Sequence, residues 1–188
     1  GTISNRGWEF STDVDVYRNK NWAVNIGTNA TFIRNRVMKL PEQNKDGIES
    51  GSYKIVKGKS RYEFYTYTFE GVDRLTGNSL YKPNLENNFL TMPDGTVLGN
   101  KHDGATDITQ HVTVINGKPY VNNITYAGKE FHGSALPVVY GSFQGSVSYK
   151  SLAFSMLFTY QLGGKMMDGV YQSLMSSSGT PKNYHVDV

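Results

Sequence analysis

Four histidines, His102, His111, His132 and His185, are the obvious candidates for metal binding or proton transfer. They stand far apart, and none has a second ligand at metal spacing, so no zinc-type site is expected. Asp13 and Asp15 fall on one face of an alternating segment, as a general acid–base pair would. No nucleophile or third acid accompanies them, and the polarity of an enclosed interior is their competing use. His102-Asp103-Gly104 and Met92-Pro93-Asp94-Gly95 offer oxygen ligands for calcium, but the rest of an EF-type loop is missing. Gly163-Gly164-Lys165 lacks the upstream glycine and following hydroxyl residue of a phosphate loop. The sequence has no cysteine, which removes disulfides, thiolate metal sites and a cysteine nucleophile. Asn29-Ala30-Thr31 and Asn123-Ile124-Thr125 match the glycosylation sequon, a pattern short enough to arise by chance. The expectation is no catalytic residue, no metal and no cofactor: not an enzyme. Tyr62, Tyr65, Tyr67 and Tyr81 remain as substrate-binding candidates able to stack on sugar rings, with packing against neighbouring side chains as their alternative use.

The elements that would carry these residues are strands. The sequence holds 13 Tyr, 9 Phe and 20 Gly, a mixture that favours sheet over helix. No apolar run approaches the ~20 residues of a membrane helix. A net charge of +3 is scattered without a stripe suited to phosphates, so no nucleic-acid partner is expected. The chain opens Gly1-Thr2-Ile3 with neither initiator Met nor an apolar leader, so a secretory signal is expected either upstream of it or not at all.

Four segments alternate with period two. In the first, Trp8, Phe10, Thr12, Val14 and Val16 oppose Glu9, Ser11, Asp13 and Asp15. After a polar turn at 18–21, Trp22, Val24, Ile26, Thr28, Ala30 and Phe32 oppose Ala23, Asn25, Gly27, Asn29 and Thr31. The third sets Val139, Gly141, Phe143, Gly145, Val147 and Tyr149 against Tyr140, Ser142, Gln144, Ser146 and Ser148. A tight turn at Lys150-Ser151 leads to Leu152, Phe154, Met156, Phe158, Tyr160 and Leu162, opposed by Ala153, Ser155, Leu157, Thr159 and Gln161.

A soluble β-sandwich also alternates in this way. The apolar faces carry no charge although 19% of the chain is charged, but a sandwich core shares that property. The opposite faces are more telling. A soluble surface is rich in Lys and Glu, whereas these are mostly Ser, Thr, Asn, Gln, Gly and Ala, which suit a wet or plug-filled lumen. Trp22 and Phe32 bracket the second segment ten rises apart, or roughly 34 Å of strand. At a tilt near 40° this projects to about 26 Å, close to the ~25 Å apolar band of an outer-membrane barrel. The expected fold class is therefore all-β, an antiparallel segment of a large transmembrane β-barrel. Trp8, Phe10, Val14, Trp22, Val24, Ile26, Phe32, Phe143, Val147, Leu152, Phe154, Met156, Phe158 and Tyr160 are expected to face lipid. Glu9, Asp13, Asp15, Asn25, Asn29, Gln144, Ser146, Thr159 and Gln161 are expected to face the lumen.

The hairpins, at about 7–33 and 139–162, have short turns, which barrels place in the periplasm. By parity, residues 34–138 hold no membrane crossing or an even number. That stretch is dense in turn chemistry: Asp73-Arg74-Leu75-Thr76-Gly77, Pro93-Asp94-Gly95 and Asn116-Gly117, the last a type I′ signal. Residues 62–69 read as a strand that either crosses or stands above the bilayer. The region is read as a structured, hairpin-bearing extracellular loop, and 163–188 as a second loop.

Several motifs, in order, resemble one family. Gly7-Trp8-Glu9-Phe10-Ser11 with Tyr17-Arg18-Asn19-Lys20, then Arg34-Asn35-Arg36-Val37-Met38-Lys39-Leu40, are similar to successive strand and turn motifs of SusC-like, TonB-dependent outer-membrane transporters. Phe69-Glu70-Gly71-Val72-Asp73-Arg74-Leu75-Thr76-Gly77-Asn78-Ser79-Leu80-Tyr81 resembles their GVD-x-x-TG-x-x-x-Y run, with Arg74 and Leu75 departing from the usual Pro and acidic residue. Residues 143–163 resemble their YK-turn hairpin, and Asn183-Tyr184-His185 the run before the next strand pair. The resemblance implies a Bacteroidetes-type outer-membrane importer with a plugged barrel of about twenty-two strands. It also implies a SusD-like surface lipoprotein as lid, TonB as energy source, and a glycan or oligopeptide as the imported nutrient. The chain would hold one partial barrel domain over 1–188, with roughly four to six of the strands. Its immediate partners would be the remainder of the barrel, the plug and outer-membrane lipid. Two rivals stay open: a soluble or cell-surface β-sandwich carbohydrate-binding or adhesion module, and an extracellular β-sandwich hydrolase, which needs two carboxylates within roughly 5–10 Å.

Overall fold

Alternating side chains flanked by Asn and Gly turns lead directly to long antiparallel ribbons. A computed structural model describes residues 1–175. In it β1 (Thr2–Arg18) and β2 (Trp22–Lys39) form a hairpin of 17- and 18-residue strands. Asn19 makes its turn: the side-chain oxygen accepts the amide hydrogens of Asn21 and Trp22, at 2.9 and 2.8 Å. Both strands run several residues past the expected hairpin of 7–33. A bulge between Asp15 and Tyr17 takes Val16 out of the ladder, so Tyr17 pairs with Val24. The bulge is a correction to simple alternation, since the extra residue resets which side chain continues a face.

The chain leaves this ribbon after Lys39 and returns at residue 139. Between them lies a unit of short hairpins. Strands β3 (Ile48–Ser50), β4 (Tyr53–Ile55) and β5 (Glu63–Tyr67) lead into β6 (Phe69–Val72) and β7 (Ser79–Tyr81). Then come β8 (Asn88–Thr91), β9 (Val97–Gly99) and β10 (Thr106–Asp107), followed by β11 (Val112–Ile115), β12 (Lys118–Val121) and β13 (Lys129–Ser134). They make three small sheets, ordered β13-β5-β4-β3, β11-β12-β7-β6 and β10-β8-β9. Their turns use the expected residues. Asn116 and Gly117 both adopt positive φ, 51° and 76°, the type I′ geometry. The Asp73 carboxylate accepts the Leu75 amide at 2.9 Å and the Thr76 hydroxyl at 2.8 Å, closing its turn at Gly77. Leu90, Ile108, Val121 and Ala127 form a buried core here, ringed by Tyr81, Leu85, Met92, Leu98, Val112 and Tyr126.

The last strands are β14 (Val139–Tyr149) and β15 (Leu152–Leu162), joined by a two-residue turn in which Lys150 has φ 52°. β14 pairs along its whole length with β2 as well as with β15, giving the order β1-β2-β14-β15. The two expected hairpins are thus neighbours, and no strand between β2 and β14 enters this sheet. Of the parities left open by the sequence, the sheet takes zero. Residues 62–69, expected as one strand, are divided between β5 and β6, which belong to two different small sheets. The four-stranded sheet is open, with β1 and β15 as edges. A short helix, α1 (Gly169–Met175), follows, its first turn tied by the Asp168 carboxylate accepting the Tyr171 amide at 2.8 Å. His185 and the Asn183-Tyr184-His185 run lie outside the described residues.

Candidate functional site

Register brings the four alternating segments into one two-faced wall. Across the strands from β1 to β15, one face reads Trp8–Phe32–Val139–Leu162, Phe10–Ala30–Gly141–Tyr160, Thr12–Thr28–Phe143–Phe158, Val14–Ile26–Gly145–Met156 and Tyr17–Val24–Val147–Phe154, closing on Trp22–Tyr149–Leu152. Every residue expected to face lipid lies on this face. It carries no charge, and aromatic rings mark both ends: Trp22 packs on Tyr149 at 4.5 Å, and Phe32 meets Phe10 edge-on at 6.3 Å. Among the described residues nothing covers it. Trp8 and Leu152 are each 75% exposed and Phe154 66%. The Tyr160 hydroxyl reaches over Gly141 and donates to the Asn29 carbonyl oxygen at 3.0 Å. A Cβ on Gly141 would collide with that carbonyl and sit 2.7 Å from the hydroxyl.

The opposite face reads Glu9–Thr31–Tyr140–Gln161, Ser11–Asn29–Ser142–Thr159, Asp13–Gly27–Gln144–Leu157 and Asp15–Asn25–Ser146–Ser155. All residues expected to face the lumen lie here, with Leu157 as an apolar exception. Its groups bond to one another. Asn25 donates to Asp13 and Asp15 at 2.8 and 3.2 Å, Gln144 donates to Asp13 at 3.3 Å, and Arg18 pairs with Asp15 at 3.3 Å. The two carboxylates are thus held by side-chain amides and an arginine in a network that spans β1, β2 and β14. Gly27 is the residue that sequence reasoning passed over. A Cβ there would lie 2.5 Å from the Gln144 amide nitrogen, so its bareness lets Gln144 cross to Asp13.

Among the loop sheets a cleft is lined by Tyr65, Lys82, Pro83, Asn84, Lys129 and Glu130. Lys82 pairs with Glu130 at 2.5 Å, and Thr68 donates to the other Glu130 oxygen at 3.0 Å. Lys129 pairs with Glu49 at 2.8 Å, and Lys54 reaches the same carboxylate at 3.4 Å. Hydrogen bonds from Lys129 and Lys82 hold the Glu49 and Glu130 carboxyls below the usual glutamate range. The bond to Glu49 raises Lys129 in turn. The candidate tyrosines are divided among different surroundings. Tyr65 lines the cleft, packed at a tilt against Phe131 with ring centroids 4.8 Å apart, and the Tyr67 ring centroid lies 5.4 Å from the Lys129 ammonium. Tyr62 packs edge-on against Tyr53 at 6.3 Å, and Tyr81 against Phe69 at 6.0 Å. Lys82, Lys129 and Glu130 were not legible as cleft residues. They converge only because Lys129 and Glu130 pair with Tyr67 and Thr66 across β13 and β5. Among the described residues no His, Asp or Glu group is arranged to hold a metal, and no helix is long and apolar enough to cross a membrane.

No family profile matches the sequence. Comparison with curated proteins finds a TonB-dependent receptor, P39, of Formosa agariphila, 26% identical over 87% of this chain and 17% of that protein. The chain thus spans about a sixth of the length of that relative. Among solved structures, the RagAB peptide transporter matches with a TM-score of 0.61 at 19% identity, over 94% of this chain and 17% of that one. Two states of the RagAB peptide importer match at 0.52 (open-open, 20% identity) and 0.53 (closed-closed, 19% identity). Each covers 86% of this chain and 15% of that one. These relatives are a receptor and transporters, and the likeness to the solved structures is one of fold. An uncovered apolar wall, a likeness in sequence to a TonB-dependent receptor and a fold shared with the RagAB transporter bear out the resemblance to SusC-like, TonB-dependent outer-membrane transporters.

Proposed function

We propose that the chain supplies one wall and one extracellular loop of an outer-membrane importer of nutrients. The observation that carries this reading is the sheet's uncovered, uncharged apolar face backed by a polar one made mostly of Ser, Thr, Asn and Gln, its few carboxylates tied into a hydrogen-bond network. Each large side chain left in water forgoes about 1.5–3 kcal/mol of burial, and a face of fourteen such positions needs a hydrocarbon partner. The sandwich alternative would meet that need with a second sheet, and none packs on this face among the described residues. In lipid the open edges of β1 and β15 would each leave unpaired backbone groups, so the remainder of a barrel must flank them.

In this reading the side bearing the short turns is periplasmic, and residues 40–138 stand outside the cell as a docking platform for a SusD-like lipoprotein lid. A plug and a TonB-contacting segment lie elsewhere in the same protein. The substrate is an oligopeptide or a glycan. The cleft's mixture of Lys82, Lys129, Glu130 and Asn84 suits the alternating charge of peptides more than a neutral sugar chain. The test is uptake by cells carrying the intact transporter with residues 34–137 replaced by a two-residue turn, which joins the opposed Ile33 and Val138. Retained outer-membrane insertion with lost import of a labelled oligopeptide mixture is the expected result. Unchanged import would remove the loop from the pathway.

A further inference from the structure

Beyond the last aromatic rung the lipid-side face changes character abruptly. The rung after Trp8–Phe32 is Arg6–Arg34, and the next is Ser4–Arg36, while the intervening Gly7–Ile33 and Asn5–Asn35 point to the other side. Three guanidinium groups therefore sit on the same face as the apolar wall. Together with Ser4 and Met38 they line a shallow hollow. Directly opposed like charges, roughly 5 Å apart at the backbone, are destabilising when nothing lies between them. Among the described residues the Arg6 and Arg34 side chains have no acidic partner. Arg36 donates to the Gly58 carbonyl oxygen at 2.9 Å, which fixes its guanidinium without neutralising it.

The depth of this cluster is set by the strand. Arg34 lies two residues past Phe32, roughly 5 Å further along the membrane normal at a 40° tilt, and Arg36 roughly 10 Å. The polar layer outside each edge of the hydrocarbon is about 5–8 Å thick, so the Arg6–Arg34 rung stands at headgroup level and Arg36 at its outer margin. They lie at the end from which the long loop departs, the outer leaflet on the short-turn rule. Planar forked donors match tetrahedral phosphate oxygens better than an ammonium would.

We propose that Arg6, Arg34 and Arg36 bind the phosphate of a phosphorylated glycolipid headgroup in the outer leaflet. The site rests on the lipid-facing reading of the wall, and the phosphate replaces the missing counter-charge between Arg6 and Arg34. Acyl chains of the same lipid would then lie along Phe10, Trp8 and Phe32 below it.

The experiment is native mass spectrometry of the intact transporter, with added phosphorylated lipid A, dephosphorylated lipid A or inorganic phosphate. The variants are Arg6→Gln/Arg34→Gln/Arg36→Gln together, and Arg34→Lys alone. Outer-membrane fractionation and heat-modifiable gel mobility are read in parallel. The expected result is bound phosphorylated lipid A on the wild type. Retention should fall by about tenfold or more in the triple variant and by less in Arg34→Lys. The dephosphorylated lipid should bind weakly, and inorganic phosphate should neither bind stably nor compete at millimolar concentration. Equal retention by the triple variant, equal binding of the dephosphorylated lipid, or full competition by inorganic phosphate would overturn the proposal. Should the triple variant fail to assemble, Arg34→Lys decides alone: a lipid A level equal to wild type counts against the site. A wild-type protein absent from the membrane fraction would instead sink the importer reading beneath it.

Discussion

Gly141 and Ile26 occupy the same face of the wall and answer to different forces. At Gly141 the constraint is contact, because the Tyr160 hydroxyl and the Asn29 carbonyl leave no room for a side chain. Gly141→Val should therefore disturb the β2–β14 ladder and cost about 1–3 kcal/mol, read as a lower urea midpoint for the intact barrel in detergent. At Ile26, midway between Trp22 and Phe32, the proposed constraint is the medium. Ile26→Lys should cost about 2–4 kcal/mol at the membrane midplane and reduce the heat-modifiable, folded fraction in the outer membrane. The same change tolerated without loss would place that face in water. Ile26 was legible from alternation alone, whereas Gly141 and Gly27 were not. Their importance lies in which residue stands opposite on another strand, and that register is fixed by pairing across more than a hundred residues of chain. Val16 failed for a related reason, since a bulge is a property of two strands together.

At the scale of elements, the turns were the most readable features because their chemistry is local. Asn116-Gly117 and Asp73-to-Gly77 do what their residue types require. Gly117→Val places a β-branched residue at φ 76° and should loosen the β11–β12 hairpin. Faster proteolytic clipping of the loop near residue 117 in whole cells is the expected readout. The adjacency of β2 and β14 was not readable, because nothing local says that a long excursion returns to the strand it left. The ion pairs of the loop give a pH dependence with a definite sign. Glu130 and Glu49 have carboxyls lowered from the ordinary 4.5, so their contribution is present above that value and lost as pH falls through the lowered one. Lys129, raised above 10.5, contributes below that value and loses its part only as pH rises past the raised one. The pairs are partly exposed, with Glu49 and Glu130 side chains at 45% and 43%, so solvent screening keeps the effect small. Protease resistance of the loop should be flat through neutrality and fall below about pH 4.5, with Glu130→Gln moving the level at pH 7 toward the acid one.

At the scale of the whole molecule, the wall and the loop keep their apolar surface in opposite ways. The loop unit buries its own, around Leu90, Ile108 and Val121, while the four-stranded sheet buries almost none. Expressed alone, the 188-residue chain should aggregate in water and remain dispersed only in detergent, because an open apolar sheet with two free edges pairs with its copies. Sequence motifs pointed to the family through their order along the chain, and the shared fold agrees with them. The cleft of Lys82, Lys129 and Glu130 stayed hidden because its residues come from distant segments folded over one another.

The claim on which the rest depends is that the even-numbered side chains of β2 touch lipid. Single cysteines placed at positions 24, 25, 26, 28, 29 and 30 of the intact transporter in its native lipid, spin-labelled and exposed in turn to oxygen and to a water-soluble nickel chelate, test it directly. Positions 24, 26, 28 and 30 should favour oxygen, which concentrates in hydrocarbon, and 25 and 29 should favour nickel. Even positions shielded from both reagents, as in the dry centre of two stacked sheets, would contradict the account.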